Sequence, residues 1–345
     1  MTAAERGPGP LVRPAQRLQS LVAGYRSTAA IGAAVRLGIP EMLGADSLRI
    51  EELASRAGIE PIRLGQFLRA LVAIGVLAYD QADGTYRLTE MGALLRPGAD
   101  GPFHAMALIA NEVSAPAYSG LATALEGSQT PFERHFGTDI FRHLEQNPEL
   151  ARAYGESIAT PGIGEALAGA FDFSGKHVVD VGGGTGELIE QILQRSETAR
   201  GTVFDLAATI AAASRRLRPL ADRADWVAGS FHTSVPAGAD VYVLCRVIAN
   251  WADEQASVIL RNCRQAMGPD GTLLIVEVVR PATRPTSARR ALGELDLHVH
   301  FGGRLRTLDE WTDLLATARL QVRELTSLPA EWSVIRVAPA LTARR

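Results

Sequence analysis

A hydrophobic run, Val178-Val179-Asp180-Val181, passes directly into Gly182-Gly183-Gly184-Thr185-Gly186, and from there into Glu187-Leu188-Ile189-Glu190-Gln191-Ile192-Leu193. The run before the glycines reads as a strand, and the apolar residues after them recur at helical spacing. A second strand, Gly201-Thr202-Val203-Phe204-Asp205, ends in an acid. Strand, glycine turn, helix, strand and acid form the opening half of a doubly wound α/β sheet, and no other stretch constrains the chain as much.

The glycines permit positive φ and let a ligand approach the backbone, and Asp205, about 20 residues on, can accept ribose hydroxyls. A dinucleotide site needs its third glycine inside the helix, in G-x-G-x-x-G register. Read from Gly182 the chain offers G-x-G-x-G, with Glu187 following. A carboxylate there is poorly placed beside a pyrophosphate. It is better tolerated beside an ammonium and a sulfonium, the charges of S-adenosylmethionine.

At 345 residues with 47% hydrophobic content, the chain can build two full cores. A formal charge of −3 gives no basic footprint for nucleic acid, and no run of 18 apolar residues suggests a membrane span. Small-molecule ligands are the expectation. The only cysteines, Cys245 and Cys263, lack metal or C-x-x-C spacing and read as reduced core residues of a cytoplasmic protein. Residues 1–14 are polar and rich in Pro and Gly, without an apolar signal segment, and their first dozen read as disordered.

Residues 18–43 read as an amphipathic helix, with Tyr25, Ala29, Ala33 and Leu37 near helical spacing and a break at Gly38-Ile39-Pro40. Two further helices flank Gly58, and a hairpin turns at Asp83-Gly84. This is a winged-helix pattern. Its second helix carries only Arg63 and Arg69 on an otherwise apolar surface, too little charge for a DNA-recognition helix. Residues 98–170 are helical and aromatic-rich. Beyond them strands are expected at 178–181, 202–205, 225–227, 241–245, 272–278, 321–325 and 332–338.

The run HVVDVGGGTGELIEQIL, then FDL at Phe204, VAGSF at Val227, VIANWADEQA at Val247, LLIVE ending at Glu277 and GGRLRT at Gly302 together resemble the class I small-molecule O-methyltransferases. Within that family the chain most resembles actinobacterial enzymes that tailor polyketides and other aromatic natural products. The resemblance implies a Rossmann-like, S-adenosylmethionine-binding domain with a seven-stranded sheet at 171–345. It also implies a winged-helix dimerisation domain at 15–97 that makes a homodimer, and a connector at 98–170 that lines the acceptor pocket. Asp180, Gly182, Gly184, Gly186, Asp205, Leu206, Ser230, Phe231 and Cys245 are the expected cofactor contacts. Where the family usually has an acid near the adenine, this chain has Ser230, a weaker acceptor than a carboxylate.

In the resembling enzymes the block before Trp251 carries a histidine base followed by an aspartate, and the glycine block carries a glutamate that orients the histidine. Here those positions are Ala249, Asn250 and Leu305, and only Glu277 matches the third member of the set. Loss of base and orienter together is coherent, because the orienter alone would be a buried carboxylate without a partner. A general base contributes roughly 10²- to 10⁴-fold, whereas alignment of reactants supplies roughly 7–11 kcal/mol, so methyl transfer survives for an acceptor that ionises easily.

Asn250 reads either as a group that orients the acceptor oxygen or as a cap or turn residue before Trp251. Arg246 reads as a partner for an acidic substrate or as one arm of a structural ion pair. His298 and His300 diverge by roughly 200° on a helix, so one of them can face the pocket while no metal site uses both. Tyr154 and Tyr118 are candidate donors, His104 and His135 further base candidates in the connector, His104, Asn111 and Tyr118 candidate substrate contacts, and no metal is expected. The expected function is methyl transfer to oxygen on a small aromatic or acidic intermediate of secondary metabolism. Two alternatives stay open: a non-methylating reaction such as hydroxylation, decarboxylation or cyclisation, and a non-catalytic regulator.

Overall fold

The structure, a computed structural model, describes residues 14–127, 129–160, 162–207, 209–211, 220–283 and 287–340. The amino-terminal dozen expected to be disordered lies outside them. The chain divides into two compact units, residues 1–120 with 146–159 and residues 121–145 with 160–345. The aromatic-rich segment 98–170 is thus shared between them.

The first unit begins with the helix Pro14–Arg36, followed after Gly38, at φ 69°, by the short helix Ile39–Leu43. Strand β1 (Leu48–Arg49), helices Ile50–Ala57 and Pro61–Ala73, and strands β2 (Leu77–Asp80) and β3 (Thr85–Leu88) then form a winged helix with sheet order β1-β3-β2. Glu60 starts the second of those helices by accepting the N–H groups of Ile62 and Arg63. That helix buries Leu64, Leu68 and Leu71, at helical spacing, and leaves Arg63 and Arg69 exposed. β1 was not foreseen, since two residues carry no periodicity.

The first helix leaves much of its apolar surface bare: Tyr25 is 66% exposed, Leu21 70% and Val22 69%. Only Gly32, Ala34 and Val35 are buried on it. An apolar face left bare on one chain is a surface awaiting a partner. Further along, helix Phe103–Ile109 widens into a π-helical turn, Ala110–Ser114, before Ala115–Tyr118. Arg36 ties this turn to two other helices, through Glu112 at 2.5 Å and Glu149 at 2.8 Å.

The second unit is built on strands β4 (His177–Val181), β5 (Arg200–Asp205), β6 (Ala224–Ala228), β7 (Val241–Cys245), β8 (Thr272–Glu277), β9 (Leu320–Ser327) and β10 (Ser333–Pro339). They form the expected seven-stranded sheet, in the order β6-β5-β4-β7-β8-β10-β9. The first five are parallel, and β10 runs antiparallel to both β8 and β9. Alternate residues feed separate cores. Tyr242, Leu244, Leu273 and Ile275 pack on one face, and Val241, Val243, Leu274 and Val276 on the other. Strand order reverses between β4 and β7, so the carboxyl ends of these strands form the crevice where such sheets bind ligands.

Helices Pro131–Phe136 and Ile140–Glu145 belong to this second unit through their aromatic side chains. Phe132 is fully buried and stacks on Phe136 at 4.4 Å, while Phe141 stacks on Trp251 at 5.8 Å.

Candidate functional site

The glycine loop leaves β4 with Gly182, Gly184 and Gly186 at φ 76°, 58° and 82°, a left-handed sequence that side chains resist. Crowding adds a second constraint. A Cβ on Gly183 would lie 2.7 Å from Asp180 Oδ2, and one on Gly182 would lie 2.9 Å from Val247 Cγ2 and 3.4 Å from the Phe231 ring. Gly186 then begins helix Glu187–Arg195, which buries Leu188, Ile189, Ile192 and Leu193 against the sheet.

Asp205, at the end of β5, stitches the loop to its neighbour strand. Its Oδ2 accepts the N–H of Gly184 at 2.8 Å, and its Oδ1 accepts the N–H of Leu206 at 2.6 Å. Burial raises its pKa, and these bonds with that of Thr209 oppose the rise. Asp180 has no such relief. It is 1% exposed, its Oδ2 has no hydrogen-bond partner, and burial together with Asp205 pushes its pKa up to about 8. An orphaned carboxyl oxygen beneath a glycine loop fits a ligand that brings its own donors, such as the ammonium of S-adenosylmethionine. The residues present therefore fit that cofactor.

A pH signature follows from Asp180. Its folded value near 8 lies above the ordinary value near 3.9 of an unfolded chain. Over that interval the native state keeps a proton that the unfolded state has released, so its stabilising contribution falls as pH rises from about 4 to about 8. Asp180→Asn is expected to raise the melting temperature of the ligand-free protein at pH 8 more than at pH 5, and to shrink the increase on adding S-adenosylmethionine. A thermal-shift series across this range reads both effects, and an unchanged pH slope would refute the assignment.

On the far side of the loop, Phe231 stands edge-on to Trp251 at 5.9 Å, and Ser230 Oγ accepts the N–H of His232 at 3.3 Å. Cys245 closes β7, its thiol pKa raised by burial and by Asp180 and Glu277. The next residue, Arg246, holds a left-handed backbone at φ 60°, donates to Thr160 Oγ1 at 3.1 Å and lies over the Trp332 ring.

Ala249 and Asn250 sit in a 3₁₀ turn, Ile248–Asn250. Asn250 does not cap the following helix, whose cap position is Ala252. Its Nδ2 donates to Arg246 O at 3.3 Å. Below the turn, Glu277 is 2% exposed and accepts the N–H of Ala249 at 3.1 Å, and burial raises its pKa to about 7. Leu305, in place of the orienting glutamate, is buried. Gly303 was missed in the sequence: a Cβ there would fall 2.0 Å from Ala249 O. The doubled glycine in its block was the available signal.

His298 and His300 lie on helix Ala288–Phe301, and the Nε2 of each is buried without a hydrogen-bond partner. His300 packs edge-on to Phe132, and burial lowers its pKa. His135 is exposed. No group of three or more potential metal ligands occurs among the described residues. The first unit holds His104, Asn111, Tyr118 and Tyr154. His104 Nδ1 lies 2.8 Å from Leu95 O, which makes Nδ1 the donor and leaves Nε2 the basic nitrogen. Asn111 sits in the π-helical turn against Gly32, where a Cβ would come within 2.3 Å of it. The structure therefore gathers the loop, Asp180, Asp205 and Phe231 into one constellation, and Arg246, Asn250 and Glu277 into another.

Comparison with known proteins agrees with this arrangement. Residues 118–321 match the O-methyltransferase domain family, and residues 19–97 match the O-methyltransferase dimerisation domain. The chain is 33% identical to a phenazine O-methyltransferase of Lysobacter antibioticus, over 93% of this chain and 95% of that protein. It is also 33% identical to an aclacinomycin 10-hydroxylase of Streptomyces purpurascens, over 88% and 85%. An O-methyltransferase from neocarzinostatin biosynthesis, crystallised with S-adenosyl-L-homocysteine and 1,4-dihydroxy-2-naphthoic acid, superposes with a TM-score of 0.81 at 32% identity, covering 91% of this chain and 96% of that one. Sequence, sheet and cofactor loop together show that this chain belongs to the S-adenosylmethionine-dependent O-methyltransferase family that carries an amino-terminal dimerisation domain.

Proposed function

We propose that this protein methylates an oxygen of a small aromatic or acidic natural-product intermediate, and that it aligns an easily ionised acceptor instead of deprotonating it with the family's usual histidine. The observation that carries this is the turn at Ala249-Asn250, which offers a carboxamide and no base. S-adenosylmethionine supplies, when bound, a methyl group on a sulfonium that an oxygen nucleophile can attack in line. Asp180, Gly182, Gly184, Gly186, Asp205, Leu206, Ser230, Phe231 and Cys245 hold it.

Asn250 orients the acceptor oxygen through its amide, and Glu277 fixes the turn from below. His298 is the proposed group for the departing proton, because its buried Nε2 has no partner, and Tyr154 is the proposed donor to the acceptor oxygen. His104, Asn111 and Tyr118 of the first unit and Arg246 and His300 of the second are the proposed substrate-binding residues, with Arg246 the partner for an acidic substituent. Residues 15–97 form the dimerisation domain, 98–170 the pocket-lining connector and 171–345 the catalytic domain. The bare apolar face of helix Pro14–Arg36 supports a homodimer through the first of these. No described helix is long and apolar enough to cross a membrane. A cytoplasmic enzyme that binds neither nucleic acid nor membrane fits that helix content and the weak net charge of −3.

The test supplies trideuteromethyl S-adenosylmethionine and a pool of phenols, hydroxy-naphthoates and other aromatic acids, read by mass spectrometry. A product carrying the labelled methyl, matched by S-adenosylhomocysteine, is the expected result. An altered product without label would instead place the chain with its 10-hydroxylase relative.

A further inference from the structure

Among the described residues of the second unit, Arg306 is the most deeply buried cation, its side chain 0% exposed. Its guanidinium donates from Nη1 to Ile248 O at 3.1 Å and from Nη2 to Trp251 O at 2.8 Å. Nε and Nη2 also reach Asp253 Oδ1, at 3.0 and 2.7 Å, and the group lies over the Trp311 ring at 5.5 Å. The two carbonyls it holds bracket Ala249 and Asn250.

Burying a guanidinium costs far more than burying an apolar side chain of equal size, and an apolar replacement often packs as well or better. Fold stability alone therefore gives a weak reason for an arginine here. The guanidinium supplies something an apolar residue cannot, a rigid planar fork that fixes several acceptors at once. Those acceptors are the peptide oxygens on either side of the proposed acceptor-orienting residue. Glu277 completes the frame by taking the N–H of Ala249 between them. The surrounding charges differ in kind: Arg304 reaches Asp253 and Glu310, and Arg280 reaches Glu310, on half-exposed links that touch no part of the turn.

We propose that Arg306 is a positioning residue for methyl transfer, holding the 248–251 turn so that the Asn250 carboxamide stands in one place before the acceptor arrives. The proposal rests on the reading that Asn250 orients the acceptor. In this chain a cation–anion frame holds the backbone of the turn as an orienting carboxylate would hold a histidine side chain.

The test replaces Arg306 by Gln and by Lys in the full-length chain. Hydrogen–deuterium exchange of the peptide spanning 246–253 reads the turn without any substrate. In Arg306→Gln, exchange there is expected to rise by about tenfold or more, with β4 and β5 unchanged. Turnover should fall by about a hundredfold, the effect of misplacing a reactant by roughly an ångström. S-adenosylmethionine affinity should stay within about twofold, since the loop is a separate element. Arg280→Gln, which loses only a link to Glu310, serves as the control, with wild-type turnover. Guanidinium ion at millimolar concentration should restore part of the activity of Arg306→Gln. Adding Asn250→Ala to it should cost less than the two single effects combined, because both act through one group.

Wild-type turnover in a folded Arg306→Gln protein overturns the proposal, whatever its exchange. Should that variant not fold, Arg306→Lys decides: it keeps the charge and loses the fork, so wild-type exchange and turnover in it are equally fatal. If the wild-type chain transfers no methyl group, the exchange measurement still reports whether Arg306 holds the turn, and only the methyl-transfer reading falls.

Discussion

Replacing Asp205 by alanine should weaken S-adenosylmethionine binding by about 10²-fold or more, measured by titration calorimetry. Two losses combine. The carboxylate is the expected ribose acceptor, and hydrogen bonds to a charged acceptor are each worth roughly 1.5–3 kcal/mol. The same group also accepts from Gly184 and Leu206 within the protein, so its removal leaves one backbone donor of the loop and one at the end of β5 without their partner. Asp205→Asn should fall between, since an amide offers one oxygen where the carboxylate offers two. Equal affinity for wild type and Asp205→Ala would remove the residue from the cofactor site.

The second large effect is expected at Gly303, and it should appear in turnover while cofactor affinity is spared. An added Cβ would lie 2.0 Å from Ala249 O, 2.6 Å from Asn250 C and 2.8 Å from Asn250 Cα, all backbone atoms. Contacts that close require the turn itself to shift. Gly303→Ala should therefore lower kcat by about 10²-fold, with a loss of stability of roughly 1–3 kcal/mol from overpacking. Gly302→Ala is the comparison: its φ of 73° makes a side chain strained, yet the nearest atom is a methyl of Thr130 at 3.3 Å. That variant should lose stability by about 1 kcal/mol and keep most of its turnover. If Gly303→Ala turned over like wild type with the same melting temperature, the tight packing beneath Asn250 would be irrelevant to catalysis.

These two residues also show what a sequence discloses and what it withholds. Asp205 was legible because its role depends on local order: a strand, a fixed offset from the glycines and an acid. The sheet was legible for the same reason, each strand being a short apolar run with its own boundaries. Gly303 and Arg306 work through Ala249 and Ile248, more than fifty residues earlier in the chain. No periodicity marks such a pairing. In the block Gly302-Gly303-Arg304-Leu305-Arg306-Thr307, the family resemblance singles out Leu305, the residue that differs, while the frame lies in its neighbours. Helix Pro14–Arg36 gave the opposite difficulty. Its apolar spacing was visible, but spacing does not say whether the face meets the same chain or another one.

The chain passes between its two compact units after residues 120, 145 and 159. Neither unit can therefore be released by a single cut, and neither is a cassette that recombination can exchange whole between relatives. A chimera must take residues 146–159 from the same parent as the amino-terminal unit, and 121–145 from the same parent as the sheet. Exchange of a unit between relatives thus takes three matched crossovers where a chain of consecutive domains takes one.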